Sequence, residues 1–459
     1  MRFSILEFRF SIERMVKNLL ASTLVCMLSF SYVVAQSDGS QQNKTGRGGT
    51  FAITNVRIVT VSGAAIENGT VIVQNGLITA VGAGVSIPKN AETIDGKGLS
   101  VYPGMIDAGT ALGLAEIPQG ANATMDVAEV GTMNANAKAI TGVNPHSSHV
   151  NVTRVNGITT VFSAPSGGII AGQGAVINLN GSTQEEMAVL STAGLIINFP
   201  RISTFGGFGG GFGPPPTVDF TEAAKRRDTQ LDELKKIFKK AENYARSKET
   251  YSKDKSLPYT ATDLKLEAMI PYIRGEKPIV FIVERERDIR GVVKFVTDMK
   301  VKGIIAGGQE AWKVADDLKK NNIAVIYTNI YSLPVRDDDA YDFLFEGPAK
   351  LKSAGVKFAI GTGDAGGEVR DLPYHAGLAG AYGLAKEEAL KAVTLYPAEI
   401  LGVSDKLGSI EVGKMANLVV TDGDILEPRT NIKYMFINGR LIPLTSRHTE
   451  LFDSFKDRR

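Results

Sequence analysis

Cysteine is almost absent from this 459-residue chain, which contains a single one, Cys26. Cys26 lies inside an apolar N-terminal segment that we expect to be removed, so the mature chain has no thiol for disulfide bonds or thiolate chemistry. A surplus of charge of either sign is absent too. Outside residues 1–35, 47 basic side chains balance 47 acidic ones. We therefore expect no nucleic acid as a partner, and no membrane contact beyond an export signal.

Histidine is the second scarce residue, with only four in the chain: His146, His149, His375 and His448. Neutral imidazole is a common ligand of zinc, so this scarcity limits the metal sites that the chain can build. The pair in Asn-Pro-His-Ser-Ser-His has a spacing that two ligands can use, but we interpret both as structural residues. We interpret His375 as a residue on a helix face and place His448 in a charged tail.

The N-terminus has the features of an export signal. Lys17 supplies a positive charge, an apolar run extends from Leu19 to Phe30, and Val33-Val34-Ala35 offers a small-residue cleavage site. The apolar run is shorter than the ~20 residues that a spanning helix needs, which disfavours a membrane anchor. We predict a signal peptide at 1–35 and a periplasmic or secreted protein, and the sequence leaves Met1 and Met15 open as the start.

Short β-branched runs at both ends of the chain predict a small β domain. After a polar linker at 36–49, strands and an Asn75-Gly76 hairpin turn follow, and the same texture returns around Asn438-Gly439. We predict a β-sandwich built from 50–102 together with 403–442. A charged tail at 443–459 follows it.

Between these two segments, residues 103–402 alternate short apolar runs with amphipathic helical stretches. This alternation predicts a (β/α)₈ barrel, of the TIM type. A doubly wound sheet is the alternative, but the chain has no glycine-rich phosphate loop between a strand and a helix. We expect the glycine- and phenylalanine-rich insert at 204–216 to be an exposed loop, and the charged stretch Phe220 to Lys253 to be a solvated helix.

Three motifs carry a specific resemblance. They are Val101-Tyr-Pro-Gly-Met-Ile-Asp-Ala108, Leu372-Pro-Tyr-His-Ala-Gly-Leu-Ala-Gly-Ala-Tyr-Gly-Leu384 and Gly408-Ser-Ile-Glu-Val-Gly-Lys-Met-Ala-Asn-Leu-Val-Val420. Together they resemble the amidohydrolase superfamily over about residues 50–442, and most closely its secreted, imidazolonepropionase-like members. The resemblance implies a hydrolase of C–N bonds in cyclic or non-peptide amides, with one or two divalent metals, zinc being the family expectation.

The positions where this family places its metal ligands are altered. Gly109-Thr110-Ala111 stands where the resemblance implies a His-x-His pair. The other altered positions are Ile282 and Glu284 at the fifth strand and Gly307 at the sixth. Only Asp364 matches a family ligand or general base, so it is the one candidate catalytic residue. We expect a pocket formed by Gly109, Ala111, Ile282, Glu284 and Gly307, with no metal ligand assigned besides Asp364.

Two functions follow from this pattern. In the first, the chain is a pseudoenzyme that binds a small molecule, or pairs with an active homologous amidohydrolase in a homo- or hetero-oligomer. In the second, it hydrolyses C–N bonds with Asp364 and a non-standard metal site, in which Glu284 and Glu286 supply oxygen ligands that suit Mg or Ca. In the first case we expect an apolar-walled depression under the 204–216 loop, with Asp364 and Glu284 at its floor and Asp364 unpaired. The alternative role of Asp364 in an inactive barrel is to cap the following turn through Gly366 and Gly367 by side-chain hydrogen bonding.

Overall fold

The computed structural model describes residues 45–117, 122–203, 218–334, 336 and 338–458. The predicted signal peptide at 1–35 and the insert at 204–216 lie outside the described residues. In the ranges that are described, no helix is both long and apolar enough to cross a bilayer.

The described ranges contain sixteen strands, which form two sheets. The first five are β1 (Phe51–Ile58), β2 (Ile66–Gln74), β3 (Leu77–Gly82), β4 (Glu92–Asp95) and β5 (Ser100–Pro103). The next eight are β6 (Met105–Thr110), β7 (Ile158–Ser163), β8 (Ile170–Asn178), β9 (Ala188–Asn198), β10 (Ile279–Val283), β11 (Gly303–Gly307), β12 (Ala324–Tyr327) and β13 (Phe358–Ile360). The last three are β14 (Leu418–Thr421), β15 (Ile432–Ile437) and β16 (Arg440–Leu441).

The first sheet joins the two ends of the chain, in the order β16-β15-β14-β5-β1-β2-β3, with β4 also paired to β1. Strand β14 pairs antiparallel with β5, with Val420 opposite Val101. Phe51 on β1 and Phe436 on β15 lie on strands that are not neighbours, yet their ring centroids are 5.2 Å apart. The sheet therefore curls so that distant strands pack face to face, as in a sandwich. We call it the composite sheet.

The second sheet contains β6 to β13 in chain order and forms the barrel. Strand β13 meets β6 to close it: the N–H of Gly363 donates to the carbonyl of Gly109 at 2.9 Å. All nine residues of β8 and all six of β7 are buried, as expected for strands covered on both faces. The predicted barrel with a second sheet from both chain ends is confirmed.

Strand β8 departs from the regular (β/α)₈ pattern, because it pairs antiparallel with both β7 and β9. Only residues 164–169 separate β7 from β8. A parallel crossover needs about a dozen residues. Because this connection is shorter, the chain turns back and β8 runs antiparallel to β7. The sequence prediction did not include β8 or β9.

Twelve helices of the described ranges surround the sheets. They are α1 (Ala139–Gly142), α2 (Ser148–Arg154), α3 (Gln184–Met187), α4 (Phe220–Lys253), α5 (Leu264–Ile273), α6 (Glu286–Met299), α7 (Ala315–Lys320), α8 (Gly347–Ser353), α9 (Leu372–Ala381), α10 (Lys386–Ala392), α11 (Leu395–Ile400) and α12 (Arg447–Phe455).

Helix α4 has the bounds that the charge pattern predicts, but it is not solvated on every side. Asp219 caps its first turn by accepting from the N–H groups of Thr221 and Glu222. Leu234 and Phe238 are buried, and Phe238 packs edge-on against Phe295 of α6 at 5.1 Å. One face of α4 therefore covers the barrel, and its charges lie on the other.

The end of the predicted linker at 36–49 is part of the composite sheet. The N–H of Arg47 donates to the carbonyl of Leu441 at 3.1 Å, and its guanidinium pairs with Glu92 at 2.5 Å. These contacts place the start of the folded region before Thr50, the boundary that the composition indicates.

Candidate functional site

The floor of the site is the buried carboxyl group of Asp107, at the seam where β6 meets β13. Asp107 is fully buried. Its oxygens accept from the N–H of Gly109 at 2.9 Å, and from the N–H and hydroxyl of Thr362 at 3.2 and 2.5 Å. Burial raises the pKa of Asp107 to about 7, against the lowering effect of these hydrogen bonds. Asp107 belongs to the motif at 101–108 but is not among the site residues predicted from the sequence.

Asp364 lies on the segment that follows β13, and its carboxylate already has partners. One oxygen accepts from the N–H groups of Gly366 at 3.2 Å and Glu368 at 3.1 Å. The side chain thus holds the turn that leads into α9. The expectation that Asp364 is an unpaired buried charge is wrong, since the residue is only partly buried and its carboxylate is hydrogen-bonded.

Gly109 and Ala111 are held by the backbone of the Asp364 segment. The N–H of Ala111 donates to the carbonyl of Asp364 at 3.1 Å, and the Thr110 hydroxyl donates to the same oxygen. A Cβ atom at Gly109 would lie 3.3 Å from a methyl group of Thr328. Neighbouring methyl groups therefore fill the space in front of Gly109, which leaves little room for an imidazole.

Gly307 cannot carry a histidine in this backbone conformation. Its φ is +101°, a region that side-chain-bearing residues rarely adopt. A Cβ atom there would lie 2.7 Å from the carbonyl oxygen of Val283. The backbone at the end of β11 therefore leaves no room for a side chain at this position.

Ile282 and Glu284 line a cavity of about 500 Å³ at the ends of β9 and β10. Ile282 is 38% exposed, a large value for an aliphatic side chain. The other lining residues are Asn198, Phe199, Arg201, Ile202, Ser203, Val283, Arg285 and Asp288. Of the predicted pocket residues only these two share the cavity. Its walls are more polar than the apolar walls that we expected, because both acidic residues and arginines line it.

A buried carboxylate supports the edge of this cavity. Glu310 follows β11, is fully buried, and accepts from the N–H of Glu286 at 2.8 Å. It also pairs with Lys313 at 2.8 Å and Arg336 at 3.2 Å. These cations hold the pKa of Glu310 below its usual value although burial acts to raise it. Glu310 thereby anchors the first turn of α6.

The described contacts of His149, His375 and His448 lie apart from one another. His149 lies 2.7 Å from the carbonyl of Glu116, and His448 lies 3.1 Å from the guanidinium of Arg370. His375 is 5% exposed and packs edge-on against Tyr331, and burial lowers its pKa to about 4. His375 is therefore neutral at pH 7. It lies on helix α9, in agreement with the prediction from the sequence.

The side chains of the described ranges do not fit the divalent metal that the family implies. No group of three or more His, Cys, Asp or Glu side chains in those ranges could hold a metal ion. The carboxylates of Asp107 and Asp364 are both engaged by backbone N–H groups.

Known proteins share both the sequence pattern and the fold. The pattern of the Amidohydrolase family matches residues 344–442. The structure of an amidohydrolase from Thermotoga maritima is 26% identical, with a TM-score of 0.75, over 86% of this chain and 99% of that one. These matches support a relationship between this chain and the amidohydrolase superfamily.

Other relatives are more distant. Amidohydrolase tasK of Hapsidospora irregularis is 24% identical over 399 residues, which is 78% of this chain but only 38% of that protein. N-acetylglucosamine-6-phosphate deacetylase of Caenorhabditis elegans is 35% identical over 85 residues, 18% of this chain and 19% of the enzyme. The chain thus spans well under half the length of both of these curated relatives.

Proposed function

We propose that this chain is a binding member of the amidohydrolase superfamily that does not carry out the metal-dependent hydrolysis of C–N bonds expected from its family. The proposal rests on the structure at the positions where the family resemblance implies metal ligands. Gly109 faces methyl groups of β12, and Gly307 has a backbone that excludes a side chain. Asp364, the one matching acid, holds a turn. The carboxyl groups of Asp107 and Asp364 accept from backbone N–H groups, and no histidine occupies the implied ligand positions, so these positions supply no metal-bound water that is nucleophilic at neutral pH.

The cavity at β9 and β10 is the binding site in this proposal. Arg201 and Arg285 bring positive charge to its wall, and Glu284 and Asp288 bring negative charge. A small zwitterionic molecule complements such a wall, because each of its charges meets a partner. Pairing with an active homologous amidohydrolase, in a homo- or hetero-oligomer, stays a prediction. Export to the periplasm or the medium also stays one.

The second candidate is hydrolysis of C–N bonds, which the family relationship favours. The curated relatives include an amidohydrolase and a deacetylase. In this chain such a reaction would need a water-activating group other than an imidazole-bound metal. Function depends on the site rather than on the fold, so the two candidates differ in metal content and in the role of Asp364.

Metal content and thermal stability distinguish the two candidates. We expect elemental analysis of the full chain, purified without chelators, to find transition metal well below one ion per chain. Added Zn²⁺ should leave the melting temperature unchanged in the wild type and in Asp364→Asn. The Asn oxygen still accepts from Gly366, so this variant should be nearly as stable as the wild type. Asp364→Ala removes the acceptor and should cost about 1 kcal/mol.

A metal site would give a different set of results. Stoichiometric zinc, or a rise of several degrees in the wild-type melting temperature that Asp364→Asn abolishes, would contradict the binding proposal. The matched control is Asp405→Asn, a change of the same kind at an exposed position remote in sequence from the site. A metal effect that persists in this control but not in Asp364→Asn would locate the ion at the barrel.

A further inference from the structure

A second cavity, of about 730 Å³, lies between the composite sheet and helix α10. It shares no lining residue with the cavity at β9 and β10. Its walls come from β1 and the loop at 59–65, from β5, from α10, and from the segment after β14. Its volume is in the range of small-molecule sites in proteins. Neither the family relationship nor the proposed function uses it.

One wall of this cavity is apolar. Val59, Leu390 and Leu426 line it, and Tyr102 contributes a ring that is only 5% exposed. Contact with such a surface favours a ligand with a hydrocarbon or aromatic body, since burial of apolar area drives the association. The apolar wall comes from both structural parts of the chain, so a bound ligand would touch both.

The three cationic side chains that line the cavity differ in how many of their hydrogen-bond donors already have an acceptor. Lys386 pairs with Asp424, and Lys391 pairs with Glu388 at 3.2 Å. Arg57 instead donates only through Nε, to Glu67 at 3.1 Å. Within the described residues, its two terminal nitrogens have no hydrogen-bond partner. A guanidinium with two free parallel donors is suited to a carboxylate, which it can bind through both oxygens.

The loop at 59–65, which also lines the cavity, contains a residue with a strained backbone conformation. Val61 has a φ of +69° and is 9% exposed. A β-branched residue pays a conformational cost in this region, and such strain is concentrated at ligand sites and other functional positions. The conformation of Val61 thus agrees with a loop whose shape is fixed by a binding role.

We propose that this cavity binds a small organic carboxylate with an apolar body. The terminal nitrogens of Arg57 hold the carboxylate, and the body lies against Val59, Leu390 and Leu426. The site is independent of the barrel mouth, so it does not rest on the proposed function. It would stabilise the junction between the composite sheet and the barrel when occupied.

Calorimetric titration of the full chain tests the proposal. The probes are 2-naphthoate and decanoate, with 2-naphthamide as the uncharged analogue and inorganic phosphate as the anion without an apolar body. We expect saturable binding of at least one carboxylate, and neither the amide nor phosphate should match it. Arg57→Gln should weaken that binding at least tenfold, Arg57→Lys should weaken it less, and Glu67→Gln should leave it equal or tighter.

Two further variants keep the test decisive. Arg226→Gln, an exposed change of the same kind on α4, should leave binding unchanged. Ala64→Trp adds a large ring to an exposed lining residue, so it should block the cavity without disturbing the core even if Arg57 variants fold poorly. The proposal is overturned if neither carboxylate binds, if phosphate binds as tightly, or if Arg57→Gln and Ala64→Trp bind like the wild type.

Discussion

Asp107 shows how the surroundings of one residue decide its chemistry. The sequence places an acid in a motif that leads into the first barrel strand. In the barrel this acid lies against the segment that follows β13. Thr362 of that segment and Gly109 of β6 supply its hydrogen-bond donors. Its carboxyl group is thereby removed from water, and burial raises its pKa to about 7. Asp107 is a structural acid that closes the seam, and its buried oxygens are not presented to a ligand.

A pH effect on stability follows from this raised pKa. The folded state keeps the Asp107 proton up to about pH 7, whereas the unfolded chain releases it near pH 3.8. The stabilising contribution is therefore complete below pH 3.8 and is lost as the pH rises to about 7. At about 1.4 kcal/mol per pKa unit, the loss is of the order of a few kcal/mol.

Denaturant unfolding at a series of pH values checks this effect. Asp107→Asn mimics the protonated acid, so the difference in free energy of unfolding between variant and wild type should change in favour of the variant as the pH rises. Thr362→Ser keeps the hydroxyl donor to Asp107 and should follow the wild-type profile. A difference that stays constant over this range would show that Asp107 is already ionised in the folded state at low pH.

Among the secondary-structure elements, α4 was predicted with its observed bounds, whereas β8 and β9 were not predicted. The density of charged residues gave the bounds of α4 because it is a local signal, and in the structure Asp219 caps the helix where that charged stretch begins. The direction of β8 could not be predicted from the strand itself, because the direction of a strand depends on its connections. The six-residue link at 164–169 reverses β8, and no periodicity within the strand reports that reversal.

The end of α6 offers a test at this scale. Lys300 terminates the helix with φ 54° and ψ 41°, the left-handed conformation in which glycine is favoured. Lys300→Gly should raise the free energy of unfolding by about 0.5–1 kcal/mol, since it removes the cost of a side chain in this conformation. The measurement is denaturant unfolding.

Lys302→Gly is the matched control two residues later. Lys302 is exposed and has no positive φ, so glycine there only adds freedom to the unfolded chain. This control should lower stability by up to about 1 kcal/mol. Equal effects of the two changes would contradict the assignment of strain to Lys300.

On the scale of the whole molecule, Asn417 joins the composite sheet to the barrel. It is 4% exposed and donates to Asn178 at 2.8 Å and Thr160 at 3.1 Å, both in barrel strands. The side-chain oxygen of Asn417 accepts from the backbone N–H of Asn438 at 2.7 Å, at the turn between β15 and β16. One amide therefore satisfies polar groups of both sheets.

Loss of this amide should destabilise the entire fold. Asn417→Ala leaves several buried groups without partners, so we expect a decrease of about 2–4 kcal/mol in the free energy of unfolding. Asn431→Ala, which removes an exposed amide paired with Asp422, should cost less than about 1 kcal/mol. Thermal unfolding should remain one transition in both variants. Two separate transitions in the wild type would show that the sheets fold independently.

The sequence by itself determined the class of the fold and the residue types at the positions predicted for the site. Composition and short motifs are local, so they fixed the barrel, the paired chain ends, and the glycine or alkyl groups at Gly109, Ala111, Ile282 and Gly307. Only the tertiary structure decided what those positions became. The gap before Gly109 is filled by β12, Glu284 lines a charged cavity, and Asp364 holds a turn. These outcomes depend on which strands meet at the mouth, and residues far apart in the chain supply each contact.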